Sequence, residues 1–510
     1  MIMRRICLFV LSLMILCPAI GQEISRTRSC RPLIDGQELK MTKGTVLGQA
    51  KRLLRSRADF VELNLLFGTQ NDNPYIGQRR QIAVLVEFAD KAFMGDSAQT
   101  MVQWNKILNT RYLSEDSFYG SVHDYFFDQS YGKFDLSFDL HYAVMDSLVK
   151  YHSTATSDLN AVYLVQDVVE YLRDRVEDWA PYDWDDDGIV NQLLIIFAGK
   201  GQSDGGGAMT IWPHQWWLSE FPNNPEINPI TVTSGGKNYL IDCYCCVQEQ
   251  NRKGTYGSFG TICHEYSHCL GLPDFYGDVN YVDEWDLMDC GNYNGNGFRP
   301  CGYSAFERAF MGWLTPIELN EDQMVEGLPA LSAQPIAYLI RNEGKADEYY
   351  LIENRQNAGW DEMLPGSGIV VFHVDYDEQV FKYGQPNSKN RQHYLIFPAN
   401  NKPEVTTDNI KGWAYPYEGN NSLTNTSTPA AELFNPNQDG TLFMNKPITE
   451  MAVIRGMAQF RFQNTFTGVK SVKAEWAKDD RWFTIDGRPL QGKPAGKGLY
   501  IHDGRLLQIR

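Results

Sequence analysis

The hydropathy pattern predicts an α+β region followed by a β-rich one, and three observations carry that reading. Two short apolar runs, at residues 81–88 and 192–198, have strand length and read as buried strands. Apolar residues recur at helical spacing over 121–132 and 160–178, and a longer helix starts at about Ser258. Past Trp313-Leu314-Thr315-Pro316 the spacing changes to alternation, as at 349–353, 368–375 and 451–462, with Gly, Pro and Asn turns between. The aromatic stripe of 121–132 is assigned to the core rather than to a cofactor. No internal repeat or low-complexity tract stands out.

Composition supports a folded chain. Of 510 residues, 43% are apolar and 21% charged, with 43 Gly and 23 Pro, which excludes disordered, collagen-like and coiled-coil classes. At about 100–200 residues per domain the length holds two to four units. The 46 Lys+Arg against 63 Asp+Glu give a formal net charge of −17, which argues against non-specific nucleic-acid binding. That charge is uneven: +7 over 1–80 and +4 over 466–510 leave −28 for 81–465.

The first 21 residues read as a secretory signal peptide. Arg4 and Arg5 precede an apolar run at 6–17 that is too short to span a bilayer, and Ala19-Ile20-Gly21 supplies small residues before the cut. A signal anchor is the competing reading; a lipoprotein is rejected because Leu16 precedes Cys17. No later segment is long and apolar enough to cross a membrane. Residues 22–80 carry 11 Lys+Arg and 6 Asp+Glu, including the basic run at 51–55, and read either as a pro-segment processed at Arg79-Arg80 or as a solvated basic helix. The expected domains are then a catalytic unit over 81–318, a β-rich unit over 319–465 and a small β tail over 466–510.

Removing Cys7 and Cys17 with the leader leaves eight cysteines, seven of them between Cys243 and Cys301. Disulfides are the default for an exported chain, with Cys290–Cys301 the expected pair. A soft-metal cluster of Cys243, Cys245 and Cys246 is the alternative for those three. Cys30 stands alone in the pro-segment, where its thiolate would occupy a metal's open position until processing, or be disulfide-bonded.

The chemistry concentrates at 261–277. His264 and His268 are four residues apart, so a helix puts both imidazoles on one face, as two zinc ligands require. Glu265 beside the first ligand reaches a zinc-held water rather than the metal. Gly271 lets the helix end, Pro273 stiffens the descent, and Asp274 arrives as a third ligand, leaving one position open for catalysis.

This pattern resembles the metzincin signature, with Asp in place of the usual final His, and Trp285-Asp286-Leu287-Met288-Asp289 fits the methionine turn of that group, 14 residues beyond Asp274. More closely, stretches between residues 80 and 380 resemble the immune inhibitor A-like metalloproteases, secreted bacterial peptidases. The resemblance implies a metzincin-like catalytic fold, zinc held by His264, His268 and Asp274, Glu265 as general base and Met288 as a structural support. One departure stands at Cys290, where astacin-type relatives carry Tyr; Tyr293 is the candidate to supply a transition-state hydroxyl instead.

Weaker signals surround this centre. Asp183, Asp185, Asp187 and Gly188 match positions 1, 3, 5 and 6 of a calcium loop, but Leu194 stands where a bidentate Glu belongs, which rules out an EF-hand and leaves a calcium site of another kind or an acidic turn. His214 is either a cleft residue or a packed polar contact. The ending from Trp482 to Arg510 resembles C-terminal sorting domains of type IX secretion, implying outer-membrane secretion or anchoring machinery as a partner. The expected function is a secreted or cell-surface zinc endopeptidase acting on protein substrates, made as a zymogen. The alternatives are a decayed peptidase scaffold binding protein or glycan, and zinc hydrolysis of a non-peptide bond.

Overall fold

The protein is described from a computed structural model. It covers residues 73–463, apart from 116, 155–156, 222–223, 225, 278–279, 384–385 and 389, with short strand segments outside that range. The leader at 1–21, the basic run at 51–55 and Cys30 lie outside the described residues.

The fold mixes helices with several sheets. It opens with β1 (Gly77–Phe88), α1 (Ser97–Asn109), α2 (Val122–Gln129), β2 (Phe134–Met145) and α3 (Leu159–Arg173). Then follow β3 (Leu193–Lys200), β4 (His214–Trp217), β5 (Cys243–Gln250) and α4 (Phe259–Cys269). The strands form one sheet ordered β2-β1-β3-β5-β4, parallel except for the antiparallel edge strand β4. Parallel strands are covered on both faces, which explains the unbroken apolar runs: Ile82 to Val86 and Leu193 to Ala198 are all fully buried.

Caps set the helix limits. Asp96 with Gln99 and Ser121 with Asp124 form capping boxes on α1 and α2, and α2 stops before Tyr131 and Gly132, both at positive φ. Helix α3 ends at Arg173, short of the expected 178. Val176 is buried from the turn that follows, so the apolar pattern outruns the helix.

Two sequence expectations are corrected here. Arg79 and Arg80 lie inside β1, paired with Leu136 and Ser137 of β2, and the exposed Arg80 reaches Asp139 at 2.8 Å, so the pair belongs to a strand rather than a linker. The fold already includes Asn73, whose buried amide donates to the Met311 carbonyl at 3.0 Å. Nor is there a Cys290–Cys301 disulfide: the seven described cysteines are buried free thiols. Backbone bonds close that loop instead, from Cys301 N to Gly291 O and from Arg299 N to Asn294 O.

Next come α5 (Ala305–Phe310), β6 (Ile317–Glu318), β7 (Gln323–Leu328), β8 (Tyr338–Arg341), β9 (Glu348–Arg355), β10 (Gly368–Asp375), β11 (Tyr394–Ile396), β12 (Ile448–Ile454) and β13 (Met457–Phe462). They build a five-stranded sheet, β6-β8-β9-β10-β11, and a three-stranded one, β7-β13-β12. Alternation sorts the first of these onto two cores. Tyr349, Leu351, Val370 and Phe372 join the core of the first sheet, whereas Tyr350, Ile352, Ile369 and Val371 pack with Val325, Phe460 and Phe462.

A break expected at 318/319 therefore does not occur: residues up to Gln463 form one compact unit, and Asn464–Arg510 form a second. The second unit contains a four-stranded antiparallel sheet of Trp482–Thr484, Pro489–Leu490, Gly498–His502 and Arg505–Ile509. No described helix is long and apolar enough to cross a membrane.

Candidate metal centre

Helix α4 is buried along its whole length, which is unusual for a helix carrying two His and a Glu. Its interior face is anchored to the sheet. The Tyr266 hydroxyl donates to Gln81 Oε1 at 2.8 Å and accepts from Gln192 Nε2 at 2.6 Å, so β1 and the start of β3 fix the helix axis. At the N-terminal end Gly260 lies so close to the Asn292 carbonyl that a Cβ would sit 1.9 Å from it. At the other end Gly271, at φ 107°, turns the chain, as expected from the sequence.

That turn brings Asp274 back onto the helix. Asp274 Oδ1 lies 3.4 Å from His264 Nε2 and 3.1 Å from His268 Nε2, and all three side chains are buried. Backbone carbonyls fix both ring tautomers. The His264 Nδ1–H donates to Leu287 O at 2.8 Å, and the His268 Nδ1–H donates to Leu272 O at 2.7 Å. A carbonyl can only accept, so each Nε2 is left with its lone pair directed at the centre. Bonds of about 2.1 Å at tetrahedral angles put ligand atoms ~3.4 Å apart, matching this spacing. His268 Nε2 and Asp274 Oδ1 make no hydrogen bond of ordinary geometry despite their proximity, as expected for atoms aimed at a common third point.

The methionine turn supports this arrangement through its backbone. Leu287 O holds His264, and Met288 O accepts from Phe275 N at 2.9 Å, fixing the chain next to Asp274. Met288 itself is fully buried. Behind it, Asp286 accepts from Met288 N at 2.9 Å and from the Tyr394 hydroxyl at 2.9 Å, tying the turn to β11. Burial pushes Asp286 up to about 6.

The other candidates fare differently. Glu265 is buried on α4, on the side of β5, where its charge adds to burial in raising the Cys245 and Cys246 thiols. Tyr293 is 43% exposed in the turn beyond Cys290. His214 is fully buried on β4; its Nδ1–H donates to Trp212 O, and Nε2 accepts from the Tyr244 hydroxyl, which makes it a packed polar contact. Asp183, Asp185 and Asp187 do converge, with ligand atoms within 4.8 Å of one another. The Asp183 carboxylate, however, already accepts from Asp187 N and Gly188 N, and Lys237 stands 3.6 Å away. Leu194 is buried in β3, in agreement with the exclusion of an EF-hand.

Tyr276 was not among the sequence candidates, yet its ring stacks on His264 with centroids 6.2 Å apart. Its position two residues past Asp274 was the available signal.

Residues 73–314 match the family model described as immune inhibitor A peptidase M6, catalytic domain. These residues are thus similar to an M6 peptidase catalytic domain. Two relatives agree. Immune inhibitor A of Bacillus thuringiensis subsp. alesti is 31% identical over 160 residues, covering 28% of this chain and 22% of that protein. The pre-pro-metalloprotease PrtV of Vibrio cholerae serotype O1 (strain M66-2) is 27% identical over 191 residues, covering 30% of this chain and 19% of PrtV. The match thus spans about a fifth of each curated relative. The candidate triad of His264, His268 and Asp274, helix α4 and the turn at Met288 all lie within the matched residues.

Proposed function

We propose that the chain is a secreted zinc endopeptidase that hydrolyses peptide bonds in proteins. The convergence of His264 Nε2, His268 Nε2 and Asp274 Oδ1, with both Nδ1 atoms pinned by carbonyls, carries this reading. Two neutral nitrogens and one carboxylate suit zinc and leave a position for water. Bound there, zinc supplies the Lewis acidity that makes water nucleophilic near neutral pH and polarises the scissile carbonyl. Glu265 accepts the proton of the attacking water and passes it to the departing amine.

The decisive experiment incubates the processed protein with a mixed peptide library, with and without a chelator. Cleavage lost on chelation and restored by zinc supports the proposal; no cleavage by a metal-loaded protein favours a binding scaffold. Glu265→Ala should keep its zinc and lose about 10²–10⁴-fold in kcat. Unchanged activity would sink the assignment.

Three lesser parts of the proposal rest on less. A removable leader and a pro-segment, with Cys30 as the latency group, accord with the pre-pro name that PrtV carries. A Cys30→Ser precursor as inactive as its parent would remove the thiol from that role. Calcium at Asp183, Asp185 and Asp187 rests on their convergence, against the competing Lys237. Calcium withdrawal should lower the Tm with zinc retained.

A further inference from the structure

A second group of metal-ligating side chains lies at the ends of the methionine turn, away from the triad already described. Asp283 precedes the turn; Asp289 and Cys290 follow it. One carboxylate oxygen of each Asp and the Cys290 sulfur lie within 4.8 Å of one another. The site is closed to solvent: Asp283 is 0% exposed, Asp289 2% and Cys290 8%.

The polar atoms of this cluster are only partly satisfied. Asp289 Oδ2 accepts from the Asp283 backbone N–H at 2.8 Å, and Asp283 Oδ1 accepts from Glu284 N at 2.9 Å. Asp289 Oδ1 is buried with no hydrogen bond of ordinary geometry. A buried carboxylate oxygen in that condition costs stability unless a proton or a cation meets it. Asn280, itself nearly buried, reaches the group only through long contacts of 3.5 Å from Nδ2 to Asp283 Oδ2 and to Cys290 Sγ. Rotating that amide by half a turn would present its carbonyl oxygen to the same point.

We propose that Asp283, Asp289 and Cys290 form a second, structural site for a divalent cation, with Asn280 able to complete four ligands. The donor set decides the class of ion. Calcium and magnesium take oxygen ligands, whereas a thiolate beside two carboxylates selects a borderline or soft ion such as zinc, cobalt or cadmium. Binding breaks the Cys290 S–H bond and any carboxyl O–H bond, releases those protons to water, and sets two positive charges against three negative ligands. The effect falls on the proposed zinc centre, because the turn clamped at its two ends presents Leu287 O to His264 and Met288 O to Phe275.

The test uses the full chain, purified under reducing conditions, stripped and reloaded with cadmium. Metal content per chain is measured together with the ultraviolet thiolate-to-metal absorption. Two equivalents and a thiolate band are expected. Cys290→Ala should lose the band, and Asp289→Asn should bind one equivalent fewer. His268→Ala should weaken or lose the other equivalent while keeping the band, which separates this site from the proposed catalytic one. If Asp289→Asn fails to fold, Cys290→Ala still decides, since it removes only a buried sulfur. A folded wild-type chain without a thiolate band, or a band that persists in Cys290→Ala, overturns the proposal.

Discussion

Single residues in this protein are governed by what they meet after folding. His264 and His268 were identifiable as candidate ligands because i, i+4 spacing alone puts them on one helix face. Their orienting carbonyls, Leu287 O and Leu272 O, carry no side-chain signature and were not legible. Glu348 on β9 shows the same gap. It accepts from His373 Nε2 at 2.8 Å, from Phe434 N and Asn435 N, and from the Asn342 and Asn435 amides, gathering segments distant in sequence. Burial opposes its charge, but His373 and these donors lower the carboxyl from 4.5 to about 2. A lowered folded-state pKa contributes stability that is present above pH 4.5 and is lost as the pH falls through about 2. Glu348→Gln should therefore cost about 1.5–3 kcal/mol at pH 7. It should also flatten the stability curve between pH 4.5 and 2, as urea unfolding across that window would show.

At the scale of elements, helix α4 was legible in type, start and stop, since motif, periodicity and Gly271 agree. Its rigidity was not. Gly260 reads as a weak helix residue, yet the Asn292 carbonyl occupies the place a side chain would take, so the helix rests directly on the turn beyond Cys290. Gly260→Ala must push two backbones apart, and a loss above about 3 kcal/mol is expected, with weakened metal retention. Calorimetry and metal analysis of the same sample check both effects. A fully stable Gly260→Ala protein would show that the contact yields. Strand β1 and helix α3 mark the usual limit of sequence reading: core apolar residues identify the element, while its ends depend on pairing, as for Arg79 and Arg80, or on local turns, as after Arg173.

For the whole molecule, the alternating strands after Pro316 predicted a separate β-rich domain, and the two-residue period was correct. What it concealed is that both faces are buried. Leu351 and Phe372 complete the core under the peptidase sheet, while Ile352 and Val371 complete the other. A buried network spans the expected boundary: Arg355 on β9 bonds Glu353, Asp361 and the Gly302 carbonyl, and Glu353 accepts from Ala305 N. A chain ended after Glu318 should therefore fail to fold cooperatively, because it exposes half a core and strands buried charges. A chain ended after Gln463 should keep the Tm of the large unit, since the division falls there. Thermal unfolding of both truncations, followed by circular dichroism, tests the shared core; an intact, active 73–318 fragment would refute it.

The sequence by itself pointed to the candidate triad, the neighbouring Glu265, the helix that carries His264, Glu265 and His268, and the change from helical to alternating periodicity. Apart from Asp274, which the turn at Gly271 brings back, these depend on spacing along one element, which backbone geometry translates directly into faces and distances. Tertiary structure alone decided the rest: the described cysteines remain thiols, Arg79-Arg80 belongs to a strand, and Tyr394 of β11 holds the methionine turn from behind. Each of those outcomes depends on groups remote in the chain, such as Tyr394 on Asp286, 108 residues apart. A period fixes which face a residue occupies, but only folding chooses what that face is packed against.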